Sequence, residues 1–342
     1  MRTSLRQHDE NDIITAIAIG EQTEARRFQM VQAIIESGGF EPVKPHLSSE
    51  ALNQAINVLE RCDQLRLEVW PITSPSYPAL LRETSAPPAV LYVHTLDPRQ
   101  AIPETSVGVV GTRAASIEIC QHATNIGFEL ARAGLTVISG LALGIDGAAH
   151  RGALQAHASC PTVAVLAHGL DRVYPPSHAP LARQILDAGG MIVSEYAPGV
   201  EPMKHHFLAR NRIIAGLSRG VVVVQAGARS GSLVTANFAA DYGRDVFVVS
   251  NSESQEERLG GEKLIDQGAI AIRSARDVLR EYNLLPSDSE QVEDGEWLTM
   301  TVDSFLAITE LSAGMLLKLE LEGRVARVSG NRIMVSPSLI SE

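Results

Sequence analysis

VGVVGTRAAS (107–116) opens with five residues that carry no polar side chain and breaks at Gly111 into Thr112 and Arg113. A strand covered on both faces needs an apolar residue at every position, and a glycine at its end allows a tight exit. Five similar runs follow: LTVISG (135–140), TVAVLA (162–167), MIVSE (191–195), VVVVQA (221–226) and DVFVVS (245–250). Between them lie stretches with apolar residues three and four apart, such as ICQHATNIGFELARAG (119–134) and GSLVTANFAADYG (231–243). Gly134, Gly190 and Gly243 stand where helices are expected to close. Buried strands alternating with helices predict an α/β fold over residues 106–280, a doubly wound, Rossmann-like, mostly parallel sheet.

On either side the pattern changes. Residues 1–66 are expected to form a small helical N-terminal domain, since VQAIIES (31–37) and SSEALNQAINVLERCDQL (48–65) have helical periodicity and Gly38-Gly39 makes a stop. Residues 67–105 are rich in proline and predict a partly extended linker that packs on the core. Residues 281–296 are an acidic linker. In the final segment, 297–342, ELSAGMLLKLELEG (310–323) predicts a helix and RVARVSGNRIMV (324–335) a hairpin. That order suits a small winged-helix-like C-terminal module, or equally a small docking or dimerisation module.

The net charge of −11 argues against a general nucleic-acid binder, but its distribution is uneven. The last 62 residues hold 11 acids against 4 bases, whereas residues 101–280 hold 16 of each, so a local cationic patch in the middle is possible. Three widely spaced cysteines make neither a disulfide framework nor a metal site. The first 20 residues lack the apolar core of a signal peptide, and no uninterrupted apolar run approaches a membrane span. A soluble, cytoplasmic protein with no membrane association is expected.

In a doubly wound sheet, ligands bind beyond the carboxyl ends of the strands. Here those ends lead into Gly111-Thr112-Arg113, SGLALGID (139–146) with Ser139 and Gly140, and AGARSGS (226–232) with Ser230, Gly231 and Ser232. Such turns, followed by helix N-termini, suit anions. GVVGTR is neither a dinucleotide fingerprint nor a P-loop, so no nucleotide cofactor is implied. A turn of this kind can also serve only to pack a helix on a sheet. KHHFLARNRIIAGLS (204–218) places Lys204, Arg210 and Arg212 around Phe207. Cations with an interleaved aromatic suit single-stranded nucleic acid. The plainer alternative is a helix with Phe207 in the core and both arginines paired with acids. Asp146 and His150, and His205-His206, do not complete a metal site. Asp146 is expected to support a helix N-terminus, and Glu195 to hold a neighbouring loop.

GTRAAS, SGLALGIDGAAHRGAL, GLDRVYPPSHAPL, SEYAPG with FLARNRIIAGLS, SGSLVTANFAADYGRDVFVV and KLIDQGA, in that order, resemble the signature series of the bacterial DNA-processing protein A (DprA/Smf) family. YPALLRETSAPPAVLY is similar to the segment that leads into that family's core. The resemblance covers roughly residues 69 to 280. It implies a non-enzymatic protein without a cofactor that binds and protects single-stranded DNA, loads the RecA recombinase in natural transformation, and forms a homodimer. By motif it implies DNA contacts by Arg113, Lys204 and Phe207, assigns Arg210 and Arg212 to an RNR motif, and puts Gly111, Thr112, Ser139, Gly140, Ser230, Gly231 and Ser232 in the turns that shape the pocket. The chain departs from the family pattern at Glu118-Ile119, Gln225 and Ser250-Asn251. Two other classes remain open: a nucleotide glycosidase on a related scaffold, and a nucleotide sensor without turnover.

Overall fold

In the computed structural model of the chain, the described residues are 10–228, 230–250 and 255–284, with 298–302, 305, 325–329 and 332–335 beyond them. The six apolar runs form strands β3 (Ser106–Gly111), β4 (Thr136–Ser139), β5 (Thr162–Leu166), β6 (Met191–Ser194), β7 (Gly220–Gln225) and β8 (Asp245–Val249). Val107, Val109, Val137, Val163, Val165, Val193, Val221 and Val223 are fully buried, as strands covered on both faces demand.

Three more strands complete a nine-stranded sheet in the order β1-β2-β6-β5-β4-β3-β7-β8-β9. β1 (Glu68–Pro71) and β2 (Val90–His94) come from the segment expected as a linker. They pair antiparallel with each other, and β2 pairs antiparallel with β6. β9 (Ile270–Ile272) extends the other edge in parallel with β8. The prolines of 67–105 concealed this, because they stop and start short strands instead of keeping the chain out of the sheet. Trp70 and Leu91 are buried within it.

Helices α5 (Ile117–Arg132), α6 (Ile145–Gln155), α7 (Ala179–Asp187), α8 (Lys204–Gly216), α9 (Ser232–Asp241), α10 (Gln255–Asp266) and α11 (Ala275–Glu281) connect or follow the strands. α1 (Glu10–Gly20), α2 (Glu24–Ser37), α3 (Ser49–Leu65) and the short α4 (Ala79–Arg82) precede the parallel part. Gly38 ends α2 at φ 75°, and Ser48 caps α3 by accepting from the Ala51 N–H. Gly134 (φ 85°) and Gly243 (φ 66°) close α5 and α9 as expected. After α7 the left-handed position is Gly189 (φ 78°), not Gly190. A Cβ on Gly190 would instead meet the Thr162 carbonyl and the Ile185 side chain.

The chain forms two units, 1–284 and 285–342. The first holds the N-terminal helices and the nine-stranded sheet. In the second, β10 (Leu298–Thr301), β11 (Val325–Ser329) and β12 (Arg332–Val335) form an antiparallel sheet in the order β10-β12-β11. The expected hairpin is therefore β11–β12. The helix expected at 310–323 lies outside the described residues, as does the acidic linker expected at 281–296 beyond Leu284; its first residue, Glu281, instead ends α11.

The chain winds from β3 through β6 in one direction, then returns to the other side of β3 to place β7, β8 and β9. The winding reverses at β3, so the loops after β3 and β7 diverge and open a crevice between them.

Candidate nucleic-acid interface

That crevice is a cleft of about 250 Å³, lined by the β3 exit, the start of α6, one face of α8 and the 230–232 turn into α9.

Arg113 is exposed at its mouth. Its guanidinium overlies the Phe207 ring, 5.0 Å from the centroid. Among the described residues it has neither a hydrogen-bond partner nor an ion-pair partner. Lys204, the first residue of α8, is also exposed and without an ionic partner among the described residues. Positions three apart on a helix share a face, so Lys204 and Phe207 line up along the same side. Gly144, at φ 74°, begins α6 where a Cβ would overlap the backbone carbonyls of Thr112 and Arg113. This close approach, with the Ile145 N–H donating to the Thr112 carbonyl at 3.3 Å, fixes the turn that presents Arg113.

The opposite wall is the start of α9. The Ser230 and Ser232 hydroxyls are 2.7 Å apart, and the Ser232 N–H donates to Ser230 Oγ. Asn211 on α8 anchors this turn, its Nδ2 donating to the Gly231 carbonyl at 3.1 Å.

Arg210 forms the floor. It is 3% exposed, and its Nη1 donates to the Gly140 carbonyl at 2.8 Å and to the Val165 carbonyl. A Cβ on Gly140 would overlap this guanidinium, so the glycine makes room for it. Beside it the buried Asp146 carboxylate accepts from the Gly140 N–H at 3.2 Å. Burial raises the Asp146 pKa against the attraction of Arg210. Burial also pulls the Arg210 pKa down to about 10, with Asp146 opposing and Arg113 adding to the fall. Arg210 thus stays charged at neutral pH. The repulsion between the two guanidinium groups is relieved by any anion that enters between them.

The structure separates the expected site residues into two groups. Gly111, Thr112, Arg113, Phe207, Arg210, Ser230, Gly231 and Ser232 line one cleft, with Lys204 on the same helix face as Phe207. Arg212, Ser139 and Gly140 are not among its lining residues. Arg212 is ion-paired with Glu195 and donates to the Ala86 carbonyl at 2.9 Å, which ties α8 to the β6 exit and to the segment before β2. Glu195 therefore holds a neighbouring element, as expected. Ser139 is fully buried and donates to the Val109 carbonyl at 2.6 Å. Both are placed as structural residues, because α8 is buried on most sides and a strand interior leaves no polar side chain exposed.

Three participants escaped the sequence: Asn211 as the loop anchor, Asp146 as the partner to the floor, and Tyr174. The Tyr174 ring packs 5.8 Å from that of Phe207, inclined by 54°. Its only signal was its place in GLDRVYPPSHAPL, a loop following a strand end.

Residues 68–283 match the sequence profile of the family described as DNA recombination-mediator protein A. The chain belongs to this family. It is 42% identical to DNA processing protein DprA of Streptococcus pneumoniae over 60% of its own length and 71% of that protein. It is 38% identical to DprA of Bacillus subtilis over 71% and 76% of the respective chains. A match at 39% identity to Protein Smf of Synechocystis covers 74% of the chain but only 63% of that longer relative. Among solved structures, DNA processing protein A of S. pneumoniae superposes with a TM-score of 0.64 at 32% identity, covering 80% of this chain and 98% of the other. The Helicobacter pylori protein superposes at 0.56 with 28% identity, covering 64% and 96%. That structure was described for its single-stranded DNA binding mode. No helix among the described residues is long and apolar enough to cross a membrane.

Proposed function

We propose that this protein binds single-stranded DNA along the carboxyl edge of its sheet, without catalytic turnover, and passes the strand to a RecA-type recombinase in DNA processing and transformation. The observation that carries the reading is Arg113: an exposed guanidinium, oriented by Phe207 and unpaired among the described residues, above a buried second cation. Arg113 and Lys204 contact successive phosphates, and the 230–232 turn offers its hydroxyls and the Gly231 N–H to the same backbone. The H. pylori relative's binding of single-stranded DNA supports this, as does the family's description as recombination mediators. Delivery to the recombinase and assembly as a homodimer are parts of the same proposal.

The cleft's chemistry supports the proposed absence of turnover. Asp146 is the single carboxylate among its lining residues, and it is buried against Gly140 and Arg210. A glycosidase would need a carboxylate in the first turns of α9, and none stands there before Asp241.

The test is fluorescence anisotropy with a labelled oligothymidylate at several salt concentrations, beside a duplex of the same length. Preferential binding of the single strand is expected, with log affinity falling by about 0.7 per phosphate contact for each unit of log salt. Absence of binding at low salt would refute the reading.

A further inference from the structure

We propose that Tyr174, not Phe207, supplies the face on which a base stacks, and that Phe207 is a positioning residue for Arg113. This rests on the cleft's being a single-strand site.

A base stacks on an aromatic face that is open. Phe207 is half-buried, and the Arg113 guanidinium already lies over its ring. A cation on the ring holds the charge at a fixed height and direction, but excludes a base from the same face. Tyr174 sits at the end of this stack and is 45% exposed. Its hydroxyl has no hydrogen-bond partner among the described residues, and one edge of the ring packs against Phe207.

The loop carrying Tyr174 is anchored on both sides. Before it, the Gly169 N–H donates to the Val200 carbonyl at 2.9 Å, and Asp171 accepts from the Gly199 N–H at 2.7 Å. After it, the buried His178 holds the Leu141 carbonyl through Nδ1 at 2.9 Å. The ring is therefore presented on a fixed loop, so little freedom is lost when a base arrives. Leu208, 50% exposed on the cleft wall, extends the apolar surface. Neither side chain reads a base edge by a fixed hydrogen bond, so the face accepts any base. Arg113 and Tyr174, both in contact with Phe207, place a phosphate-binding cation and a stacking ring within reach of neighbouring units of one strand.

The test compares the full-length protein's affinity for an oligothymidylate with that for an abasic deoxyribose-phosphate oligomer of equal length. Stacking predicts that the wild type prefers the base-bearing strand at least about fivefold. Tyr174→Leu brings the two affinities together, and Tyr174→Phe restores the preference. Phe207→Leu weakens both oligomers by the same factor, flattens the salt dependence as Arg113→Ala does, and preserves the preference. A preference that survives Tyr174→Leu, or one abolished by Phe207→Leu, overturns the assignment, as does a wild type that binds both oligomers equally. A wild type that binds neither refutes the single-strand reading itself.

Discussion

Replacing Arg113 by alanine removes an exposed guanidinium that rests on the Phe207 ring, whereas replacing Arg210 removes one on which the floor is built. The two changes should separate cleanly. Arg113→Ala is expected to weaken single-strand binding about tenfold, the order of one charge-assisted contact, and to leave the melting temperature unchanged. Arg210→Ala strands the buried Asp146 carboxylate and two backbone carbonyls. It should destabilise the fold by about 3–5 kcal/mol, read as a lower midpoint in urea. A third residue sets the acid limit. His150 is fully buried, and its Nδ1 lies 2.7 Å from Thr162 Oγ1. Thr162 itself donates to the Val137 carbonyl, so its oxygen must accept from His150, which fixes a neutral ring protonated at Nδ1. Burial, with the nearby His178, Arg210 and Arg151, pulls the His150 pKa down to about 3. In the unfolded chain the ring protonates near its ordinary 6.5, so the unfolded state binds the extra proton between those values. The stabilisation is complete above about pH 6.5 and is lost as pH falls toward 3, at up to about 1.4 kcal/mol per pH unit. His150→Asn keeps a donor for Thr162 and removes the titration. Urea midpoints measured between pH 7 and 4 should fall less steeply in this variant by that amount.

At the scale of elements, the loop that carries Tyr174 depends on being held to its neighbour. The loops after β5 and β6 are joined by the Gly169–Val200 bond, by Asp171 on the Gly199 N–H and by the Arg172–Glu201 ion pair at 2.9 Å. Burial of Asp171 raises its pKa, but the Gly199 N–H and Arg172 outweigh it and leave the carboxyl below its ordinary value. Asp171→Ala should cost about 2 kcal/mol of stability by chemical denaturation, and Asp171→Asn less, since its amide oxygen can still accept from Gly199. This level also explains what the sequence could and could not reveal. The six parallel strands were legible because burial on both faces leaves nothing but apolar residues in runs such as VVVV (221–224). β1 and β2 were not, because short antiparallel strands set among prolines resemble a linker that packs on a core. Arg113 was legible because it directly follows a strand exit. The fates of Arg210 and Arg212 were not: on a helix buried on most sides, the sequence does not say which cation meets a cleft, a carbonyl or a carboxylate. Tyr174 lies in a loop, where no periodicity marks a direction.

Across the whole molecule, the net charge of −11 and the proposed strand-binding role of the cleft are reconciled by where the acid lies. Residues 285–342 carry 10 acids and 4 bases, while the cleft lies entirely in the unit formed by residues 1–284. A strand approaching the sheet edge meets the field of the whole chain, which falls off over a Debye length of about 10 Å at 0.1 M salt and about 30 Å at 0.01 M. Ending the chain after Leu284 removes six net negative charges and none of the cleft residues. The truncated protein should therefore bind oligothymidylate at least as tightly as the full chain. Its gain should be largest at about 0.01 M salt, where the field reaches farthest, and should fade at 0.15 M. Anisotropy titrations of the two forms at both salt concentrations check this. Weaker binding by the truncated form at both would mean that the C-terminal unit contributes its own contacts to the strand, despite its charge.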